Sequence, residues 1–226
     1  MTHRSFAVIG LGRFGSAMAH TLVELGQDVI GVDSDEDRVR ELAEVVSQAA
    51  QIDATDLRAL KEVGVHDVDV AVVSIGENIE ASLLAVMQVM ELGVNEIIAK
   101  AVTPLHGRIL QKLGVKRVIY PERDMAIRVA HSLVVPNSLD YIELSRDFSI
   151  VEIPAPIEFL GKSLKQLELR PRYGLTLIAV KRKSDNSDSE VTNISPSADE
   201  VIQAGDVLSL LGANERLAQL SALLAK

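Results

Sequence analysis

The chain has 226 residues, of which 47% are hydrophobic and 3% aromatic, and its formal net charge is −9. This composition supports one large or two modest folded domains and argues against extended disorder. The negative charge, the missing basic stripe and the scarce aromatic residues disfavour nucleic acid as a partner. The sequence has no cysteine, which excludes disulfides and thiolate sites and fits a reducing cytoplasm. No apolar run reaches the roughly 18 residues of a membrane span.

Short β-branched runs alternate with helical patterns through residue 134. The predicted strands are Phe6–Ile9, Val29–Asp33, Ala49–Ile52, Val70–Ile75, Glu96–Ala101 and Arg117–Tyr120. The best-defined helices are Ser16–Leu25, Glu80–Leu92, Pro104–Leu113 and Glu122–Val134. The strands are continuously apolar, which indicates a sheet buried on both faces. The alternation predicts an α/β domain over 1–135, with a Rossmann-like, doubly wound parallel sheet.

A different pattern begins at Pro136 and Asn137, which break the preceding helix. Shorter strands follow in "FSIVEIP", "LTLIAVKR" and "DVLSLLG", and the polar stretch Lys183–Glu190 is typical of an exposed hairpin connection. A helix at Asn214–Leu224 closes the chain. We therefore predict a small α+β domain over 136–226.

A glycine-rich loop joins the first strand to the first helix. Gly10, Gly12 and Gly15 match G-x-G-x-x-G in the strand–loop–helix context that a dinucleotide-binding turn requires. These glycines permit the tight turn, the approach of a pyrophosphate and close helix packing. The helix N-terminus offers free N–H groups to phosphates. Phe14 belongs to the same loop, and the alternative is a glycine turn without a ligand.

An acid ends the second strand. Asp33, followed by Ser34, lies roughly 20 residues beyond the loop, where a carboxylate binds the ribose hydroxyls of a nucleotide. Its charge disfavours a 2′-phosphate. Alternatively, Asp33 caps the next helix, and both roles are compatible. These residues leave open whether the ligand is a dinucleotide or a simple adenine nucleotide.

Further candidates follow the carboxyl ends of later strands, where ligands bind in open α/β sheets. They are Asp53, Ala54, Ser74, Ile75, Gly76, Asn78 and Lys100. We expect Asp53 and Ala54 beside the adenine, and Lys100 near a phosphate or carboxylate. The alternatives are structural: Asp53 or Thr55 caps the helix starting near Asp56, Asn78 caps the following helix, and Lys100 is a solvated surface residue.

No catalytic constellation accompanies the nucleotide-binding pattern. The five histidines are not paired with acids at a telling spacing, and the sequence contains no HExxH, GxSxG or Walker lysine. We therefore predict a sensor rather than an enzyme, in which binding shifts a conformational equilibrium. The alternatives are an NAD-dependent oxidoreductase, a redox-sensing NAD-binding protein or a stand-alone nucleotide-binding adaptor.

A resemblance to a known family covers essentially the whole chain. The segments "VIGLGRFG", "VDSDED", "QIDATD", "VSIGENIEAS", "AKAVTPLHGRILQKLGVKRVIYPERDMAIRVA" and "VIQAGDVLSLLG" resemble the Ktr/Trk family of potassium-transport regulatory subunits. Such proteins have an RCK N-terminal domain followed by an RCK C-terminal domain. The sequence is more similar to the Ktr-type regulators with one repeat than to the duplicated Trk type.

The resemblance implies a mechanism of regulation. Homodimers assemble into a homo-octameric ring at the cytoplasmic face of the cell membrane, beneath a membrane-embedded subunit that conducts potassium. ATP and ADP compete for the N-terminal site and bias the shape of the ring, and NAD(H) also binds in the family. The helix Glu122–Val134 then crosses to the partner subunit, although its apolar residues fit a core helix equally well.

The resemblance also assigns roles to single residues. Arg13, inside the glycine loop, reaches toward the terminal phosphate of ATP; the alternative is an exposed arginine on the first helical turn. Glu122, at the start of a helix where a carboxylate is favourable anyway, helps to bind Mg²⁺ or Ca²⁺ near the nucleotide. In several relatives the C-terminal domain binds cyclic di-AMP, and the matching positions here are Leu169, Arg170, Thr176, Leu177 and Pro196.

Overall fold

A computed structural model describes residues 3–134, 139–183 and 190–224. Its contacts divide the chain into two compact units, one ending at Pro121 and the other beginning at Glu122. The contacts thus group the helix after Pro121 with the second unit, whereas the sequence places the domain boundary after residue 135. That boundary stays a prediction, since the break at Pro136 and Asn137 lies outside the described residues, as does most of the hairpin connection.

The first unit is built on a six-stranded parallel sheet in the order β3-β2-β1-β4-β5-β6. The strands are β1 Ser5–Ile9, β2 Asp28–Asp33, β3 Gln48–Gln51, β4 Val70–Val73, β5 Glu96–Lys100 and β6 Arg117–Ile119. All six predicted strands are present. The predicted Rossmann-like doubly wound sheet is confirmed, and the order of the strands reverses between β1 and β4, where such sheets bind ligands.

Five helices connect these strands: α1 Arg13–Glu24, α2 Glu36–Leu42, α3 Leu57–Glu62, α4 Ile79–Glu91 and α5 Pro104–Leu113. Helix α1 begins three residues before the predicted Ser16, because the residues after Gly12 already adopt the helical conformation. Helix α5 has the predicted bounds, with Thr103 capping its first turn and the left-handed Gly114 ending it.

Both faces of the parallel sheet are buried. Ala7 and Ile9 pack into one apolar cluster, and the intervening Val8 packs into another. Successive side chains of a strand point to opposite faces, so each cluster covers one side of the sheet. This burial explains why the strands are continuous apolar runs rather than alternating ones.

The second unit contains a five-stranded antiparallel sheet in the order β10-β9-β11-β8-β7. Its strands are β7 Asp140–Glu143, β8 Phe148–Pro154, β9 Thr176–Lys183, β10 Glu190–Ile194 and β11 Val207–Ala213. Its helices are α6 Pro121–Val134, α7 Leu164–Leu167, α8 Leu169–Tyr173 and α9 Asn214–Leu224. The predicted small α+β architecture and its closing helix are confirmed.

An ion pair with a fully buried carboxylate lies beside the core of the second unit. Asp206 is fully buried, and its carboxylate accepts hydrogen bonds from Nε and Nη2 of Arg182, both at 2.7 Å. The backbone N–H of Gln203 donates a further bond at 2.9 Å. Burial acts to raise the pKa of Asp206, but these bonds outweigh it and hold the pKa below the ordinary value.

Helix α6 leaves its apolar side chains exposed in the single chain. Met125, Ile127, Val129 and Leu133 are 54%, 44%, 47% and 80% exposed. The interpretation of α6 as a well-packed core helix is therefore wrong for the isolated chain. Within the described residues, no helix combines the length and apolarity needed to cross a bilayer.

Candidate nucleotide-binding site

Two glycines of the loop are required by close packing. Gly10 has a φ of +94°, and a Cβ there would lie 3.0 Å from the backbone nitrogen of Ile75. A Cβ on Gly15 would overlap the carbonyl oxygen of Gly10 and lie 2.6 Å from Oγ of Ser74. The start of α1 therefore packs directly against the ends of β1 and β4, which places its N-terminus at the point where the strand order reverses.

Gly12 has a different role from Gly10 and Gly15, because no atom of the described residues crowds it. It is the N-cap residue of α1 with ordinary dihedral angles, and the atom nearest to a Cβ there is Nη1 of Arg38, at 4.0 Å. The first turn of α1 contains no acidic residue and receives no side-chain cap from Gly12. Its N–H groups have no partners within the helix, and the backbone lies open at the position where a pyrophosphate approaches.

Asp33 lies at the end of β2 and is 8% exposed. Its Oδ2 accepts a hydrogen bond from the backbone N–H of Leu11 at 2.6 Å, and its Oδ1 accepts one from Asp35 at 2.9 Å. The N-cap of α2 is Asp35, so the interpretation of Asp33 as the cap is wrong. Asp33 instead ties the glycine loop to the end of β2, and Ser34 beside it is exposed.

The loop after β4 forms the opposite side of the crevice. Ser74 is buried, and its hydroxyl donates to the carbonyl oxygen of Gly10, so it fixes β4 to the glycine loop. Ile75 and Gly76 follow and are half-buried. Asn78 caps α4 by accepting a hydrogen bond from the N–H of Ala81 at 3.0 Å, as one of the two interpretations predicts.

Lys100, at the end of β5, reaches toward this loop. Its Nζ lies 3.4 Å from the position of a Cβ on Gly76 and 5.9 Å from the centre of the Phe14 ring. The structure thus brings together a lysine, an aromatic ring of the loop and the end of β4. The phosphate-binding role of Lys100 stays a prediction.

The residue that caps the helix after β3 is not one of the two expected. Asp53 accepts hydrogen bonds from the N–H and hydroxyl of Thr55, at 2.9 and 2.8 Å, which lower its pKa. The cap of α3 is Asp56, which accepts from the N–H of Arg58 at 2.8 Å, so capping by Asp53 or Thr55 is wrong. Asp53 is exposed and Ala54 is 8% exposed; both follow the strand beside β2.

Arg13 is exposed at the first position of α1. Among the described residues it has no hydrogen-bond or ion-pair partner. A cation is unfavourable at a helix N-terminus, because the helix dipole places a partial positive charge there. A bound anion would neutralise both the cation and this partial charge. The geometry therefore makes the start of α1 suitable for a polyanionic ligand.

Sequence reasoning misses a second arginine at the loop. Arg38 lies on α2, and its Nη1 is 3.6 Å from Oδ2 of Asp33. The available signal was its position five residues beyond the acid that ends β2, where an arginine accompanies some dinucleotide sites.

The remaining predicted residues belong to the second unit. Glu122 is exposed in the first turn of α6. Within the described residues, no group of three or more acidic or histidine side chains could hold a metal ion. One carboxylate does not make a site for Mg²⁺ or Ca²⁺, which need several oxygen ligands, and the metal-binding role of Glu122 stays a prediction.

The positions matched to cyclic di-AMP binding differ in their exposure. Leu169 is 7% exposed in the apolar core of the second unit, and Leu177 packs against that core. Arg170 and Thr176 are exposed, and Pro196 is half-buried. Because Thr176 and Leu177 are successive residues of β9, their side chains point to opposite faces of the sheet. Binding of cyclic di-AMP stays a prediction.

Comparisons with known proteins identify the family. The model of the TrkA-N domain matches residues 6–121, and that of the TrkA-C domain matches residues 148–225. The chain is 43% identical over 209 residues to Ktr system potassium uptake protein C of Bacillus subtilis (strain 168), with 92% of each chain covered. This chain belongs to the Ktr/Trk family.

Other Ktr/Trk members are similar over nearly the full length. Ktr system potassium uptake protein A of Bacillus subtilis (strain 168) is 36% identical over 210 residues, covering 93% of this chain and 92% of that protein. The protein of the same name from Vibrio alginolyticus is 34% identical over 215 residues, covering 95% of each. The predicted family resemblance is thus confirmed.

Solved structures support the same fold. The GsuK channel aligns with 99% of this chain at a TM-score of 0.66 and 21% identity. A GsuK channel bound to NAD aligns with all of it at a TM-score of 0.62 and 20% identity. This chain spans 40% of the length of each of these channel chains, so the likeness concerns the fold of that part.

Proposed function

We propose that the chain is a nucleotide-sensing regulatory subunit that gates a potassium-conducting membrane subunit. The single observation that carries this proposal is Arg13, an arginine without a partner among the described residues, at the N-terminus that the glycine loop opens. The potassium uptake proteins with which the chain shares 34–43% identity support the physiological role. As a regulator, the chain would bind its ligand without converting it.

The switch requires different affinities for ATP and ADP in the two states of the assembly. A guanidinium forms paired, charge-assisted hydrogen bonds with a phosphate. Arg13 is exposed at the helix start, where it can reach beyond the phosphates held by the backbone toward a third one, on its own ligand or on that of a neighbouring subunit. ATP would then bind more tightly than ADP, and NAD(H) would use the same loop.

The proposed assembly is a homodimer that builds a homo-octameric ring at the cytoplasmic face of the membrane. The exposed apolar residues of α6 support a contact with another chain, because four large apolar side chains on one helix are otherwise left in water. Glu122, in the first turn of that helix, would supply one ligand to Mg²⁺ or Ca²⁺ held by the nucleotide phosphates. Cyclic di-AMP would bind separately, in the C-terminal domain.

Solution scattering and size-exclusion light scattering of the purified full chain test this proposal. We expect an assembly of eight chains whose scattering profile differs between saturating ATP and saturating ADP. Arg13→Ala should remove the difference. Arg117→Ala is the matched control, since Arg117 is an exposed arginine at the opposite, amino end of β6. Identical profiles for wild type in ATP and ADP would contradict the switch, and oxidation of NADH with a panel of small carbonyl substrates would favour the oxidoreductase.

A further inference from the structure

Arg38 spans the opening of the nucleotide crevice. Its Nη1 lies 3.6 Å from Oδ2 of Asp33, at the end of β2, and its Nη2 lies 3.8 Å from Oε1 of Glu77, in the loop after β4. The strands β2 and β4 flank β1 on opposite sides. The guanidinium therefore connects the two sides of the crevice above the carboxyl end of β1, where the strand order reverses.

The contacts of Arg38 are ion pairs without hydrogen bonds. Its three carboxylate partners, which include Asp35 at 3.7 Å, all lie at 3.6–3.8 Å, beyond hydrogen-bond distance. By contrast, Arg182 reaches Asp206 with two bonds of 2.7 Å. Within the described residues, the guanidinium N–H donors of Arg38 thus form no hydrogen bond, although three acids hold the group in place.

The position of these donors indicates what they can bind. Nη1 lies 4.0 Å from the position of a Cβ on Gly12, the glycine where a pyrophosphate approaches the backbone. It also lies close to Asp33, the acid placed to bind the ribose. In a nucleotide with its ribose at Asp33 and its pyrophosphate at Gly12, the phosphate nearest to the ribose is the one esterified to it. A guanidinium suits the paired oxygens of that phosphate.

We propose that Arg38 binds the ribose-linked phosphate of the nucleotide and that Glu77 competes with the ligand for it. This inference rests on the proposed function, in that it assumes an adenine nucleotide in the glycine loop. The side chain of Glu77 is 92% exposed. Replacing its ion pair with Arg38 by contacts with water therefore costs little free energy. Arg38 then recognises every adenosine 5′-phosphate, whereas Arg13 recognises the terminal phosphate of ATP.

Calorimetric titrations with adenosine, AMP, ADP and ATP test this assignment on the full chain. For Arg38→Ala we expect affinities for AMP, ADP and ATP to fall by a similar factor, roughly ten- to hundredfold, as for a lost hydrogen bond to a charged group. Adenosine should bind as it does to wild type. Arg40→Ala is the matched control, because Arg40 lies on the same helix and, within the described residues, pairs only with Glu36 and Asp37.

A change of opposite sign is expected from the competing acid. Glu77→Gln should tighten the binding of all three phosphorylated ligands, by up to about fivefold, as for one exposed ion pair. An equal loss for adenosine in Arg38→Ala, a loss confined to ATP, or weaker binding by Glu77→Gln would each overturn the assignment. If wild type binds none of the four ligands, the proposed function itself fails. If wild type binds the phosphorylated ligands and Arg38→Ala binds them equally well, the role of Arg38 is refuted and the proposed function is not.

Discussion

Replacing Gly15 by alanine should destabilise the first unit, because α1 is packed against the sheet at that residue. The added Cβ would overlap the carbonyl oxygen of Gly10 and lie 2.6 Å from Oγ of Ser74. Overpacking typically costs about 1–3 kcal/mol, and the upper value applies because the clash involves backbone. Alanine recovers up to about 1 kcal/mol of helix propensity. We therefore expect a net loss of about 2 kcal/mol in the free energy of unfolding.

The matched substitution is Gly12→Ala, which separates folding from binding. Gly12 has ordinary dihedral angles, and among the described residues the atom nearest to a Cβ there is Nη1 of Arg38, at 4.0 Å. Its free energy of unfolding should fall by less than about 1 kcal/mol, the scale of a changed N-cap. Nucleotide binding should nevertheless be lost, because the methyl group occupies the side from which phosphates approach.

Urea unfolding followed by far-UV circular dichroism measures the first effect, and calorimetric titration with ATP measures the second. We expect Gly15→Ala to be the less stable variant, and Gly12→Ala to fold like wild type but fail to bind ATP. A Gly15→Ala protein as stable as wild type would refute the packing argument. A Gly12→Ala protein that binds ATP normally would refute the placement of the phosphates.

Two further predictions concern side chains that stabilise the fold. Asp206→Asn should lower the free energy of unfolding by about 2 kcal/mol, the scale of a lost hydrogen bond to a charged group. Of its ion pairs within the described residues, the half-buried Arg182 then keeps the one with Glu200, at 3.3 Å. Since the pKa of Asp206 is lowered from 3.8, its contribution is present above that pH and lost as the pH falls through the lowered pKa. Urea unfolding should therefore show a smaller difference in the free energy of unfolding between mutant and wild type at pH 3 than at pH 7. An equal or larger difference at pH 3 would contradict the stabilising ion pair. Asn78→Ala should lower the free energy of unfolding by about 1 kcal/mol, because it removes the cap of α4. Asn78→Asp should retain most of the stability. Equal stability of the two variants would argue against the cap.

The first unit is the part that the sequence predicts best, because its signals are local. The continuous apolar strands and the glycine pattern each depend on a few neighbouring residues, and the resulting β–α alternation permits few topologies. Local signals fail at the start of α3, where Asp53, Thr55 and Asp56 are all good capping residues within four positions. Only the backbone conformation selects Asp56 as the cap.

Features that depend on distant residues could not be predicted. The ion pair of Arg38 and Glu77 joins residues that are far apart in sequence and meet only because β2 and β4 flank the same strand. The strands β7 and β10 lie at the two edges of the second sheet, and their short segments lack a clear apolar pattern. The proposed metal-binding role of Glu122 would depend on a nucleotide and a second chain, neither of which a single sequence positions.

The most direct test of the central claim is calorimetric titration of the wild-type full chain with ATP, ADP and NADH, each with and without Mg²⁺. The account predicts that adenine nucleotides bind at one site per chain, that ATP binds more tightly than ADP, and that Arg13→Ala removes this preference. Far tighter binding of NADH, unchanged by Arg13→Ala, would contradict a switch that recognises the third phosphate. The same result would favour the dinucleotide-binding alternatives.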